Sequence, residues 1–344
     1  MKLFEPNNLS QRRAEFLPVN DQALTHEVHF LLENYYALPS LSNIKISAFA
    51  GANISAQNFK IETTASKYFL KSRDQTMKPK MRSEAELTAA LQALGQRVPS
   101  IVRSRHDHLV SLYPKKCWVL YEFQDGDYFS GRGNELQAAA DAFVELSRAA
   151  TSLFLTSRTQ VDALPGDLRN LLDRAATHPA LAALCNIHRP TILESLCQIE
   201  ERQQLLNSRR LPLHLDYHPL NLLMNSGDVA CIVDLEHLKP YSAISGLGFA
   251  AYKLIRQAMI DDEFRVAETN APTAVSTWLE SWQKAFPEDR FTQIELGVGA
   301  RARILKLIEL ILDAAINQND DRFNYDLEKQ IVSLYEADVI FGKN

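Results

Sequence analysis

The sequence predicts an α+β fold in two parts, a small β-rich lobe over residues 1–123 and a larger, mainly helical lobe over 124–344. Three observations predict it. Residues 43–71 carry alternating apolar positions in short runs separated by turn residues, the period of half-buried strands. From about residue 134 onward, apolar positions recur at three- and four-residue spacing, the period of amphipathic helices. One segment breaks that helical texture: LHLDYHPLNLLMNSGDVACIVDLE, residues 213–236, sets two histidines, three aspartates, two asparagines and a glutamate among strand-like apolar residues.

In chain order, residues 1–20 are polar and read as a loose leader. Residues 21–36, DQALTHEVHFLLENYY, predict a helix stopped near Pro39. NIKISAF, NFKIETT and KYFLKS predict three strands, the first two joined by the Gly/Asn/Ser turn in GANISAQ. RSEAELTAALQALG, residues 82–95, predicts a helix ending at Gly95, and VPSIVRS and CWVLYEF predict two further strands. The turn QDGD then marks a hinge near 122–127. Helices are expected at 134–154, 167–184 and 190–208, then a turn-rich LPLHLD. LNLLM and VACIVDL, joined by NSGD, predict a β-hairpin. Helices return at 246–261, 271–285, 296–317 and 323–338.

Composition bounds the function. Hydrophobic residues make up 46% and charged residues 23% of the 344, the balance of a globular protein with a substantial core. The net charge of −5, with no long basic run, argues against a nucleic-acid partner. Cys117, Cys185, Cys197 and Cys231 lack CxxC spacing, which points to reduced thiols and not to a disulfide framework or zinc site. No stretch is apolar enough for a signal peptide or a membrane span, so a cytoplasmic location is expected. Nothing in the pattern specifies an oligomeric interface.

Polar, titratable residues in a segment that reads as buried are costly unless something uses them. One reading of 213–236 is a metal hydrolase, because His214, Asp216 and His218 alternate and imidazoles with a carboxylate bind zinc. That reading leaves Asn221 and Asp234 without a role. Phosphoryl transfer accounts for more of the segment. Asn221 follows Asp216 by five positions and Asp234 lies thirteen further on, beyond the hairpin. In kinase-like chemistry an Asp orients the substrate hydroxyl, while an Asn and a second Asp hold Mg²⁺, a hard cation suited to oxygen ligands.

On these residues the segment resembles the catalytic stretch of the aminoglycoside phosphotransferase and choline kinase superfamily, H-G-D-x-H-P-x-N followed by a hairpin and I-D-F/W. The resemblance spans about residues 21–260. It implies a protein-kinase-like bilobal fold, ATP and Mg²⁺ as cofactors, Asp216 as the catalytic residue, and Asn221 and Asp234 as metal ligands. His214 and His218 would support the loop, and Glu236 would contact metal or substrate, or stand solvated. Leu215 replaces the usual glycine and Leu235 the usual aromatic residue.

The resemblance also makes demands upstream. Gly51, Asn53 and Ser55 in FAGANISAQ would cover the phosphates. Lys71, ending the apolar KYFLK, would need a buried partner, with Glu84 first and Glu86 second; residues two apart point to different helix faces, so at most one can serve. Backbone groups of Glu122 and Phe123 would meet adenine, and Gly126 would free the hinge. The acceptor is expected to be a small-molecule hydroxyl, on a sugar or polyhydroxy metabolite, with choline-, homoserine- and aminoglycoside-type acceptors as alternatives. Should Lys253, Arg256, Arg301 or Arg303 border the site, the acceptor would carry a carboxylate or phosphate. A catalytically inactive nucleotide-binding protein of the same fold is the reading of another class.

Overall fold

The structure is a computed structural model, and it describes residues 3–4, 15–39, 41–49, 57–154, 164–260, 270–318, 320 and 324–342. The chain divides into two compact units. One comprises Asn8–Phe129 and Leu220–Glu236, the other Met1–Asn7, Ser130–Pro219 and His237–Asn344.

The first unit is built on an antiparallel sheet. Strands β1 (Phe16–Pro18), β2 (Lys45–Phe49), β3 (Gln57–Glu62) and β4 (Lys67–Asp74) lie in sequence, followed by β7 (Lys116–Glu122); β5 (Ile101–Val102) and β6 (Ser111–Leu112) both pair with β7. Helix α1 (Gln22–Tyr35) covers one face, its Val28, Leu31 and Leu32 packing with Phe59, Ile61, Leu70, Trp118 and Leu120. Helix α2 (Lys78–Ala93) covers the other, with Met81 and Ala85 against Cys117, Val119 and Tyr121. The leader expected over 1–20 contributes β1: Phe16 meets the rings of Phe49 and Phe123 at 5.6 and 5.9 Å, and this apolar anchor explains a strand in an otherwise polar stretch.

The same unit holds the hairpin of β10 (Leu222–Asn225) and β11 (Asp228–Ile232). Its turn places Ser226 and Gly227 at φ of 53° and 87°, the paired left-handed conformation of a type I′ turn, as NSGD predicts. Strand β8 (Asp127–Tyr128) pairs with β10, which the sequence did not signal. Gly126 serves that pairing. A Cβ there would stand 3.0 Å from the Met224 carbonyl oxygen, so the glycine permits close approach to β10 where a freely turning hinge was expected. Accordingly the boundary falls after Phe129, a few residues beyond the expected 123/124 division, and the hairpin belongs with the sheet.

The second unit is helical: α3 (Glu135–Thr151), α4 (Leu168–Ala175), α5 (Ala182–Glu201), α6 (Gln203–Asn207), α7 (Ala243–Ile260), α8 (Ala271–Ala285), α9 (Gln293–Asn317) and α10 (Asn324–Phe341). The helix expected over 167–184 ends at Ala175, before the His-Pro pair at 178–179, and α5 runs through Pro190, where a new helix was expected to begin. LPLHLD is not merely a turn. Arg210–His214 forms β9, paired with β12 (Leu238–Ser242). Helix α7 lies tightly on β9, since a Cβ on Gly246 would come within 2.4 Å of Leu213 Cδ1. It also lies tightly on α9, where a Cβ on Gly248 would meet the Leu296 carbonyl oxygen at 2.3 Å.

Candidate functional site

In the sheet unit the alternation of β4 decides the site. Tyr68 and Leu70 point into the α1 core, so Phe69 and Lys71 face α2. On α2 the buried stripe runs Met81, Glu84, Ala85, Thr88, Leu91, which puts Glu84 on the face that meets the sheet. The two charges meet there: Lys71 Nζ lies 2.8 and 3.0 Å from the Glu84 oxygens, with 7% of either side chain exposed. Glu86 points away and pairs with Arg82. Because α2 begins at Lys78, four residues before the expected start at 82, Glu84 stands in its second turn.

Asp234 completes the set, its Oδ1 3.1 Å from Lys71 Nζ. Burial alone would drive the Lys71 ammonium toward neutrality. Glu84 and then Asp234 more than offset that, and its pKa rises above the ordinary lysine value. Asp234 adopts φ of +60°, a left-handed conformation that Asp tolerates better than most residues. The hairpin brings Asn221 near it. Leu222 pairs with Ile232, and one step further the Asn221 carbonyl accepts the Val233 N–H at 3.0 Å. Asn221 and Asp234 thus flank the open end of one hairpin and offer the hard oxygen donors that suit Mg²⁺.

Asp216 stands in the helical unit, on the turn after β9. The turn is held at several points: Leu215 N–H donates to the His237 carbonyl, Tyr217 N–H to the His214 carbonyl, and Asp216 N–H to His214 Nδ1 at 3.3 Å. Tyr217, to which the sequence reading gave no role, is fully buried; its hydroxyl donates to the Ala139 carbonyl at 2.8 Å and its ring lies edge-on to Phe143 and Trp278. An aromatic residue inside a polar turn was the available signal. His218 Nε2 lies 3.5 Å from Asp216 Oδ2. Burial would raise the Asp216 carboxyl, but His218, then His214 and His237, hold it well below the ordinary carboxylate range, so it is ionised at neutral pH.

The remaining expectations divide. Leu215 takes the glycine position without a left-handed backbone and with its side chain buried, so the loop does not need glycine there. Leu235 is likewise core. Glu236 pairs with Lys80 at 3.1 Å, with a fifth of its side chain exposed. The N–H groups of Glu122 and Phe123 donate to the carbonyls of Ser100 and Lys67, which removes them as adenine donors. Gly51, Asn53 and Ser55 lie outside the described residues. His214, Asp216 and His218 do not form a zinc site: among the described residues no group of three or more His, Cys, Asp or Glu side chains is placed to hold a metal ion. The reason is local, since the extended alternation ends with β9 at His214.

The model of the phosphotransferase enzyme family matches residues 46–278, from β2 through the hairpin to α8. The chain belongs to this family. No curated protein matches it. Among solved structures, this phosphotransferase is similar to a spectinomycin phosphotransferase in complex with ADP and spectinomycin, at 13% identity and a TM-score of 0.65, covering 92% of this chain and 97% of that one. It is similar also to an amicoumacin kinase in complex with AMP-PNP and Ca²⁺, at 13% identity and a TM-score of 0.58, covering 92% and 93%. A choline kinase from Cryptosporidium parvum aligns at 14% identity and a TM-score of 0.55, covering 91% and 95%. These likenesses establish the protein-kinase-like fold, and the family establishes a small-molecule phosphotransferase. Among the described residues no helix is long and apolar enough to cross a membrane.

Proposed function

We propose that this phosphotransferase uses ATP and Mg²⁺ to phosphorylate a hydroxyl group of a sugar or other small polyhydroxy metabolite, in the cytoplasm. The observation that carries the reading is the meeting of Lys71, Glu84 and Asp234, three charged groups from a strand, a helix and the end of a hairpin. A buried lysine held by a carboxylate is poor value for stability alone, and it is what a phosphate-binding ammonium requires. The ADP and AMP-PNP bound by the spectinomycin phosphotransferase and the amicoumacin kinase support a nucleotide donor. Free thiols at all four cysteines support a reducing compartment.

In this reading Lys71 steadies the donor phosphates, and Glu84 fixes the direction of its ammonium. Asn221 and Asp234 would hold Mg²⁺, which neutralises charge on the transferring phosphoryl group. The ionised Asp216 accepts a hydrogen bond from the acceptor hydroxyl and takes its proton. The acceptor oxygen then bonds to the γ-phosphorus as the bond to the bridging oxygen breaks, and that oxygen leaves on ADP. His214 and Tyr217 act only by holding the loop that carries Asp216.

The test is ATP consumption over a panel of sugars, polyols, sugar acids, amino alcohols and aminoglycosides, with Asp216→Ala and Asp234→Ala alongside. Both variants are expected to keep the fold, and Asp216→Ala to retain thermal stabilisation by ATP·Mg²⁺ while losing turnover by roughly 10²–10⁴-fold. Undiminished turnover in either variant overturns the assignment.

A further inference from the structure

Four cations of the helical unit stood out in the sequence, and the structure sorts them. Arg256 Nε lies 2.6 Å from Glu336, whose carboxylate also accepts from the Tyr252 hydroxyl at 2.5 Å and the Phe4 N–H at 2.8 Å. Arg301, buried, pairs with Asp338 at 2.7 Å. Those two have carboxylate partners and serve the packing of α7, α9 and α10. Lys253 and Arg303 have none among the described residues. Among the described residues the Lys253 ammonium has only ring contacts, at 5.0 Å from the centroid of Phe249 and 5.5 Å from that of Tyr252. The Arg303 guanidinium lies 5.7 Å from the Tyr241 centroid and 5.8 Å from the same Phe249, and its Nε is buried without a hydrogen-bond partner.

Two cations from different helices therefore share one phenyl ring, and among the described residues neither is ion-paired. Ring faces return only part of the hydration such groups lose. Both belong to the unit that carries Asp216, and α7 lies directly on β9, the strand that leads into the Asp216 turn. Burial pulls the Lys253 pKa down to about 7, with Lys329 and Arg256 adding to the fall and Asp216, then Glu336, opposing it. The carboxylate of Asp216 is thus near enough to be felt, yet it is not a partner.

We propose that Lys253 and Arg303 form an anion-recognising subsite beside Asp216, and that the acceptor carries a carboxylate or phosphate group besides its reacting hydroxyl. This rests on the phosphotransferase reading of Asp216 and narrows its substrate class. A positively charged subsite disfavours a polycationic acceptor. The sugar or polyol proposed above narrows to a hydroxy acid, a sugar acid or a sugar phosphate.

The experiment uses the full chain with saturating ATP analogue AMP-PNP·Mg²⁺, and calorimetric titration with four probes: D-gluconate, glycerol 3-phosphate, sorbitol and kanamycin. Wild type is expected to bind at least one of the two anions and neither sorbitol nor kanamycin. Lys253→Met and Arg303→Met are each expected to weaken that binding by about tenfold or more, the scale of a lost charge-assisted hydrogen bond, with AMP-PNP·Mg²⁺ affinity unchanged. Gluconate alone identifies a carboxylate, glycerol 3-phosphate alone a phosphate. Binding of neither anion, binding that both variants leave intact, or preferred binding of sorbitol or kanamycin overturns the proposal. Failure of AMP-PNP·Mg²⁺ itself to bind wild type would instead sink the phosphotransferase reading of the nucleotide site.

Discussion

Lys71 and Asp234, 163 residues apart in the chain, are joined at 3.1 Å between Nζ and Oδ1. The contact couples the middle of β4 to the residue just past the β10–β11 hairpin, and Glu84 holds the same ammonium from the helix side. Such an arrangement has two consequences that separate stability from activity.

The first prediction concerns that ion pair. Lys71→Met leaves the Glu84 carboxylate buried without its cation and is expected to cost about 3–5 kcal/mol. Adding Glu84→Gln removes the stranded charge, so the double variant is expected to be more stable than Lys71→Met alone. Both lose turnover. Urea midpoints for the two singles and the double, analysed as a cycle, check this; a double variant less stable than Lys71→Met would show that the pair is not what burial makes it.

The second prediction concerns Leu215, which stands where the family pattern has glycine. Its backbone is not left-handed and its side chain is buried. Restoring glycine is therefore expected to destabilise, by about 3–5 kcal/mol from lost packing and added backbone freedom, with no gain in turnover. Thermal melts of Leu215→Gly with and without ATP·Mg²⁺ check it. An unchanged melting temperature would mean that Leu215 contributes nothing to the loop.

How much of this was legible beforehand depended on whether the signal was local. Lys71 and Glu84 could be paired from sequence because strand alternation and helix spacing each fix a face. Ser226 and Gly227 wrote their turn in two residues. What was not legible depended on contacts distant in the chain: β8 exists because β10 lies beside it, β1 because Phe16 finds Phe49 and Phe123, and β9 because β12 returns to it. Gly126 was read as a hinge for the same reason, since a close approach by Met224 leaves no mark at position 126. The pairing of Glu236 with Lys80 was hidden likewise, whereas the four cations of the helical unit were visible as a set and only packing divided them into paired and unpaired.

The third prediction follows from Lys253 and concerns pH. Its pKa is about 7 in the folded chain against an ordinary 10.5, pulled down by burial first, then by Lys329 and Arg256, and held up in part by Asp216 and Glu336. Between those two values the unfolded chain binds more protons at this group than the folded one, so this contribution to stability increases as pH rises from 7. Below 7 both states are protonated and the contribution is flat at its least favourable. Lys253→Met removes the group and with it the slope, so the variant is expected to be more stable than wild type at pH 6.5, by a margin that shrinks toward pH 8.5. The difference between the two proteins is the quantity to measure, because Cys117, Cys185 and Cys231, all pushed above the ordinary thiol value chiefly by burial, titrate alike in both. Urea midpoints at pH 6.5, 7.5 and 8.5 provide it. A binding group that costs its protein stability shows this signature, and a lysine that merely decorates a helix does not; a margin independent of pH would place Lys253 among the latter.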